Sequence, residues 1–320
     1  MDVVFLTPLG GLFVLAALAP LLVYRARERH TRRLRSTLGL GEPSSRSRLS
    51  LTGAIVAVCG LLALAAAQPV IATARVVDER TDAQVFVVLD TSRSMLAAAG
   101  SDDPTRLDRA EAIAKQVASD LPWVPVGLAS MTDRLLPHLF PTTNGRAIEE
   151  TLDKTLSIES PGPTSYFATR ATSLDTLAAA PELNYFPGAA EKRVLVVLTD
   201  GESRPLTQDL AAAFAKTPRI QVVFVRIWDE DERIYIAGVP EVGYAPDPGS
   251  EAALAQVAAT VKGQVLSESR AGQLGDTVGE LLGTGPTTDR EHEGRRRALM
   301  PWITLLAFVP LALVFLRRNI

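Results

Sequence analysis

Hydroxyl and carboxylate side chains with the chemistry of a hard-cation site occur at two places in the sequence. Asp90, Ser92 and Ser94 directly follow the apolar, β-branched run 84–89, and Asp200 follows a second V-V-L run. Oxygen donors of this kind bind Mg²⁺, Mn²⁺ or Ca²⁺ and are poorly suited to soft metals. The sequence therefore predicts a divalent-cation site, provided that the fold brings the two segments together.

A third group of hydroxyls lies in a Gly/Pro-rich segment between these two places. Thr164 is the candidate ligand in this segment. Its neighbour Pro163 lacks a backbone donor and fixes its own φ angle, so Ser160 and Ser165 are the alternatives. The three histidines are far apart in the sequence and there is a single cysteine, so no zinc-type cluster is predicted.

Alternating strand and helix patterns indicate the elements that would position these residues. We predict strands at 84–89, 126–131, 134–140, 193–198, 220–227 and 264–266. We predict helices at 106–121, 144–152, 166–179, 206–215, 251–261 and 272–282. This alternation indicates an α/β fold with a doubly wound, mainly parallel sheet and helices on both faces. Ligands of such sheets bind beyond the carboxyl ends of the strands, where Asp90 and Asp200 fall.

On these motifs the chain resembles the von Willebrand factor A (VWA) family, also called the integrin I-domain fold, from about residue 81 to 282. Asp90-x-Ser92-x-Ser94 resembles the family's metal-ion-dependent adhesion site (MIDAS), and Thr164 and Asp200 match its second and third loops. The resemblance implies that Ser92, Ser94 and Thr164 bind Mg²⁺ (or Mn²⁺ or Ca²⁺) directly, while the aspartates act largely through water. It also implies a protein partner whose Asp or Glu carboxylate completes the shell of the cation.

Three uncharged apolar runs flank this domain and predict transmembrane α-helices. The predicted organisation is transmembrane helix 1–24, Arg-rich cytoplasmic loop 25–48, transmembrane helix 49–68, VWA domain 81–283, linker 284–297 and transmembrane helix 298–316. The eight arginines of this loop predict that it lies in the cytoplasm, according to the positive-inside rule. We therefore expect a multi-pass cell-membrane protein that contacts the lipid bilayer, with an extracytoplasmic VWA domain.

This layout resembles that of the bacterial aerotolerance-operon (Bat-type) proteins. The resemblance implies partners among other VWA membrane proteins or a MoxR-type AAA ATPase, and a role in envelope assembly or stress tolerance. Residues 68–289 contain 19 basic and 31 acidic residues, a net charge of −12. An acidic domain argues against nucleic-acid binding, which needs a basic face.

The sequence leaves three functional classes open. We expect a binding module that is not an enzyme. The alternative is a metal-dependent phosphatase or hydrolase with Asp90 as nucleophile, although dehalogenase-type phosphatases usually have D-x-D where this chain has Ser92. No Ser-His-Asp arrangement or Gly-rich phosphate loop supports catalysis. A chelatase-like adaptor of a cytoplasmic AAA ATPase is the third class, and it requires the opposite topology.

Overall fold

The computed structural model describes residues 2–17, 22–23, 26, 29–30, 45–72, 74–159, 172–188, 190–206, 210–293 and 297–318. The chain forms two compact units. One unit comprises Met1–Val76 together with Glu291–Ile320, and the other comprises Val77–Arg290. The candidate cation site lies in the second, larger unit, and the predicted domain 81–283 falls within it.

The strands and helices of the described residues are as follows. The strands are β1 (Asp2–Phe5), β2 (Pro69–Ala72), β3 (Ala74–Arg80), β4 (Ala83–Asp90), β5 (Ala97–Ala98), β6 (Val126–Met131), β7 (Leu135–Thr142), β8 (Lys192–Thr199), β9 (Ile220–Arg226), β10 (Arg233–Ile236), β11 (Val239–Pro240), β12 (Gln264–Ser267), β13 (Thr287–Glu293) and β14 (Arg297–Ala298). The α-helices are α1 (Ser45–Ala66), α2 (Arg106–Asp120), α3 (Gly145–Thr155), α4 (Ala179–Glu182), α5 (Leu210–Phe214), α6 (Ser250–Val261), α7 (Leu274–Leu282) and α8 (Met300–Arg318). The 3₁₀ helices are Pro8–Ala17, Arg93–Leu96, Leu174–Ala178 and Glu268–Gln273.

A six-stranded sheet in the order β12-β9-β8-β4-β6-β7 forms the centre of the larger unit. The first five strands of this order are parallel, and β7 pairs antiparallel with β6 at one edge. The unit therefore has an α/β fold with a mixed, mostly parallel sheet. The six predicted strands coincide with the strands of this sheet. The clearest signals are the β-branched runs of β4, β8 and β9, which are typical of buried parallel strands.

Helices cover both faces of this sheet, and the side-chain alternation of β4 shows why. Val85, Val87 and Leu89 pack on one face with α2, α3 and α7, whereas Phe86 and Val88 pack on the other face with α5 and α6. All five side chains are fully buried. Because successive strand residues point to opposite faces, a strand that is apolar at every position must be covered on both sides.

One predicted helix differs from the structure, and another is described only in part. Where the sequence predicts a helix over 166–179, the described part has the 3₁₀ helix Leu174–Ala178 followed by the single turn of α4, and 166–171 lie outside the described residues. Helix α5 covers Leu210–Phe214 of the predicted 206–215, and 207–209 lie outside the described residues. Both segments are rich in alanine, which favours helix but does not determine where one begins or ends.

A hairpin that the sequence patterns did not predict covers the loop after β4. Strand β10 pairs antiparallel with β11 and also with β5, which follows that loop. The hairpin turns at Ala237 and Gly238, whose φ angles are 50° and 81°. Two successive left-handed residues are typical of a two-residue hairpin turn, and glycine adopts that conformation without strain.

The smaller unit contains an antiparallel sheet in the order β1-β2-β14, with Asp2 opposite Ala72 and Arg297 opposite Ile71. In the same unit, α1 and α8 pack against each other. A further two-stranded sheet pairs β3 with β13.

The prediction of three transmembrane helices, and with it the multi-pass membrane localisation with an extracytoplasmic domain, is wrong. Within the described part of the chain, no helix combines the length and apolar character that a membrane crossing requires. In the described residues 2–17 of the first apolar run, the chain forms β1 and a ten-residue 3₁₀ helix that is only about 20 Å long. Helix α1 contains Arg46 and Arg48, and α8 ends in Arg317 and Arg318.

Candidate functional site

Two carboxylates that the sequence predicts as metal-site residues lie at the carboxyl ends of adjacent parallel strands. Asp90 is the last residue of β4, and Asp200 directly follows β8. The pairing of Leu89 with Leu198 brings these two strand ends together. Neither aspartate has any solvent-exposed surface. Two buried anions side by side are unfavourable unless hydrogen bonds or cations compensate them.

Hydrogen bonds to Asp90 come from three segments of the chain. The backbone N–H of Ser92 donates to Oδ1 at 2.9 Å, and the Thr199 hydroxyl donates to Oδ2 at 2.7 Å. The Thr172 hydroxyl lies 3.0 and 3.1 Å from the two carboxylate oxygens. Both oxygens of Asp90 are therefore engaged from inside the protein.

The two predicted serine ligands lie next to each other in the loop after β4. Ser92 precedes the 3₁₀ helix Arg93–Leu96, and this turn brings its hydroxyl to 3.0 Å from the Ser94 hydroxyl. The Ser94 hydroxyl also hydrogen-bonds Asp200 and lowers the pKa of that carboxyl in part. Ser92, Ser94, Asp90 and Asp200 thus form one cluster of oxygen donors.

Glycine is required in the loop after β8. Gly201 has a φ angle of 78°, in the left-handed region that other residues rarely adopt. A Cβ atom at this position would also lie 3.0 Å from the Ser250 carbonyl oxygen. This turn allows the Glu202 N–H to donate to Asp200 at 2.9 Å, which fixes the carboxylate in place.

Thr164, with its alternatives Ser160 and Ser165, lies outside the described residues, so its position in the site stays a prediction. The described threonine that contacts Asp90 from the segment between β7 and β8 is Thr172, which the sequence interpretation missed. Thr172 is fully buried and forms a parallel bridge with Ser203 of the loop after β8. A signal was present, because Thr172 and Ser173 directly precede the 3₁₀ helix Leu174–Ala178, and residues of these two types often start helices.

A fully buried arginine contacts Asp200 and was also missed. Arg106 Nη1 donates to Asp200 at 2.9 Å and to Glu202 at 3.0 Å, and Nε donates to Glu232 at 2.6 Å. The Tyr244 hydroxyl lies 2.9 Å from the same Nη1. The side chain of Arg106 has no exposed surface. It is therefore the internal counter-ion of the third-loop aspartate.

The sequence contained one signal for Arg106. Arg106 is the first residue of α2, directly after the Thr105 cap. A basic residue at a helix N-terminus is unfavourable, because the helix dipole is positive there. An arginine at this position requires acidic partners, but the sequence alone does not show that they come from Asp200, Glu202 and Glu232, which are distant along the chain.

Burial dominates the electrostatics of the two aspartates. Burial raises the pKa of Asp90 above its ordinary range, and hydrogen bonds from Thr199 and Ser92 offset part of this shift. Burial and then the charge of Asp90 raise the pKa of Asp200 to about 7, against the opposing effect of Arg106. Without a cation, the site therefore favours a protonated carboxyl at neutral pH.

The donor set fits a hard divalent cation. Two buried carboxylates and the hydroxyls of Ser92 and Ser94 are oxygen donors of the kind that Mg²⁺ prefers. Within the part of the chain that the structure describes, no three His, Cys, Asp or Glu side chains are grouped to hold a metal. A cation at this position would therefore depend on serine and threonine hydroxyls as well as on carboxylates.

Replacement of Arg106 by Met should lower the free energy of unfolding by about 3–5 kcal/mol, because buried carboxylates lose their cationic partner. Urea unfolding of the full-length protein measures the loss. Arg146→Met is the matched control, because its ion pair with Glu150 is largely exposed and should contribute little. Equal losses in the two variants would contradict the role assigned to Arg106.

The raised pKa of Asp200 makes the metal-free protein sensitive to pH in a defined direction. The folded carboxyl keeps its proton up to about pH 7, whereas an unfolded aspartate loses it near about pH 4. Stability should therefore fall as the pH rises. In EDTA we expect a loss of about 1–3 kcal/mol between about pH 5 and about pH 7.5.

Urea unfolding at each pH tests this dependence. Asp200→Asn should flatten the profile, Mg²⁺ should reverse the loss in the wild type, and the exposed control Asp102→Asn should follow the wild-type profile. An Asp200→Asn profile that matches the wild type would show that this carboxyl does not carry the effect.

Comparison with known proteins identifies the domain. Residues 85–202 match the family profile of the von Willebrand factor type A domain. No curated protein matches the sequence. An aerotolerance-related membrane protein from Bacteroides fragilis has a similar structure, with 19% identity and a TM-score of 0.50, over 62% of this chain and 98% of that chain. BatB from Bacteroides thetaiotaomicron has 19% identity and a TM-score of 0.51 over the same shares.

A more distant similarity is to proximal thread matrix protein 1 of the mussel byssus, whose structure has zinc in its MIDAS motif. The identity is 15% and the TM-score is 0.42, over 64% of this chain and 49% of that chain. At this level the zinc is a property of that protein alone. Residues 85–202 of the chain thus match the von Willebrand factor type A domain, and the fold is similar to those of the two Bacteroides proteins.

Proposed function

We propose that the VWA domain binds a divalent cation, Mg²⁺ in the first place, and uses it to engage a protein partner. Ser92 and Ser94 would bind the ion directly, and Asp90 and Asp200 would neutralise and orient it. One observation carries this proposal: two aspartates without exposed surface lie beside a pair of serine hydroxyls 3.0 Å apart. A divalent cation offsets the cost of burying both carboxylates as anions.

We propose Thr172 as the hydroxyl ligand from the segment between β7 and β8. Its hydroxyl lies 3.0 Å from Asp90 Oδ1, and the residue is fully buried at the carboxyl end of the sheet. A threonine oxygen that donates its proton to a carboxylate keeps lone pairs for a metal ion. Thr164 remains the candidate that the sequence resemblance implies.

The partner would supply an Asp or Glu carboxylate. A cation bound mainly by neutral hydroxyls keeps much of its positive charge, so an additional carboxylate binds it strongly. The fold similarity to an aerotolerance-related protein supports a role in stress tolerance or envelope assembly. A MoxR-type AAA ATPase system and other VWA proteins are the partners that the Bat-type resemblance implies.

Cation binding can be measured directly on the full-length protein. Calorimetric titration with Mg²⁺ and with Mn²⁺ should show saturable binding, and Ser94→Ala and Thr172→Val should each weaken it by about tenfold or more. The control Ser101→Ala changes an exposed serine whose hydroxyl hydrogen-bonds to Asp102, and it should leave the affinity unchanged. Absence of binding to a well-folded wild-type protein would contradict the proposal.

We propose that the domain acts by binding and not by catalysis. Both oxygens of Asp90 accept internal hydrogen bonds, and the residue has no exposed surface. A nucleophile must approach the reacting atom, which a carboxylate held in this way does not do. These contacts disfavour the alternative in which Asp90 attacks a phosphate or an ester.

A phosphatase assay separates the two functions. With p-nitrophenyl phosphate and Mg²⁺, the wild-type protein should show no turnover above that of Asp90→Asn, because the carboxylate serves only the cation site. Metal-dependent hydrolysis that disappears in Asp90→Asn would identify an enzyme and contradict a binding-only function.

A further inference from the structure

The hairpin of β10 and β11 displays apolar side chains on the surface. Ile236 is 55% exposed, Val239 is 64% exposed and Val242, just after the hairpin, is fully exposed. We call these three residues the hairpin patch. Single exposed apolar residues are common on proteins, but several together next to a binding site indicate an interaction surface.

Backbone pairing connects the hairpin to the loop that contains the MIDAS serines. Ile234 lies opposite Ala97 and Arg233 lies opposite Ala98, in antiparallel register. The two strands run in opposite directions. From Ile234 to Ile236, β10 therefore follows the direction that leads from Ala97 back toward Ser94. The tip of the hairpin therefore lies on the side of the cation site.

Two side-chain contacts hold the segment after the hairpin against the same site. Arg93, between the two serines, donates from Nη2 to both oxygens of Glu241 at 3.0 and 2.9 Å. The Tyr244 hydroxyl lies 3.1 Å from Glu202, which follows Asp200. Val242 lies between these two anchors in the sequence, so the segment that carries it is fastened to the loops of the candidate cation site.

We propose that the hairpin patch is the specificity-determining part of the partner surface, and this proposal rests on the proposed cation-dependent function. The partner would present an Asp or Glu with a large aliphatic or aromatic residue within two or three positions of it. The cation binds the carboxylate, and the hairpin patch covers the neighbouring apolar side chain.

Physical chemistry supports this division of roles. A metal–carboxylate contact does not distinguish one acidic residue from another, so discrimination must come from the surroundings of the ion. Burial of apolar surface on Ile236 or Val239 adds affinity in proportion to the area covered. The contacts of Arg93 and Tyr244 fix the position of the patch, so little ordering entropy is lost on binding.

A display selection tests the proposal without knowledge of the natural partner. Random peptides are selected on the full-length protein in Mg²⁺ and eluted with EDTA. We expect the eluted peptides to contain an Asp or Glu with a Leu, Ile, Phe or Met within three positions. Peptides that share an acidic residue but show no apolar enrichment would overturn the hairpin proposal and leave cation-dependent binding intact. A selection that yields no EDTA-eluted peptide would count against the proposed function itself.

Variants then locate the contact. The selected peptides should bind Ile236→Ser and Val239→Ser about fivefold more weakly than the wild type. Phe140→Ser is the matched control. Phe140 is 56% exposed. Its neighbour Leu139 pairs with Leu128 of β6, away from the end of β6 that pairs with Asp90. Mg²⁺ titration of each variant verifies the cation site. Equal peptide affinities for the hairpin and control variants would overturn the proposal.

Discussion

Two carboxylates buried side by side are the constraint on which the rest of this domain depends. Asp90 ends β4, Asp200 directly follows the adjacent parallel strand β8, and neither residue has exposed surface. Burial of one unpaired carboxylate is costly, and burial of two at one place is more so. The surrounding structure reduces this cost with hydroxyl donors on Asp90 and a guanidinium on Asp200, and a cation would complete the compensation.

This requirement explains why distant segments of the chain meet at one sheet edge. Thr105 and Asp108 form a capping box that begins α2 at Arg106, and this start brings the guanidinium to Asp200. The same arginine bonds Glu232, which precedes the β10–β11 hairpin. A helix start, a strand end and a hairpin are therefore coupled through one side chain. Substitutions in any of these segments should affect the others, because they share hydrogen bonds.

The sequence predicted the sheet and the first and third loops because their signals are local. The runs at 84–89 and 193–198 are apolar at every position, and a buried parallel strand is the structure that such runs favour. The residue after each run then falls at the ligand-binding edge by topology alone. The structure has Asp90, Ser92, Ser94 and Asp200 at this edge, and their role as a cation site stays a prediction.

Residues that act through long-range pairing were not predictable in the same way. Arg106 reaches partners about a hundred positions away, and no local pattern identifies which acidic residues those are. Thr172 follows a segment whose Gly-Pro-Thr motif drew attention to Thr164 instead. The prediction of membrane helices failed because apolar composition alone does not determine element type. The first apolar run pairs partly as a strand.

The most direct test of this account is a crystal structure of the protein grown with Mn²⁺, in which anomalous scattering locates the metal. We predict one strong peak within bonding distance of the Ser92 and Ser94 hydroxyls, between Asp90 and Asp200. Arg106 should remain paired with Glu232 in that structure. Fully occupied Mn²⁺ elsewhere, with no peak at the two serines, would contradict the central claim that this pair of buried carboxylates exists to hold a cation.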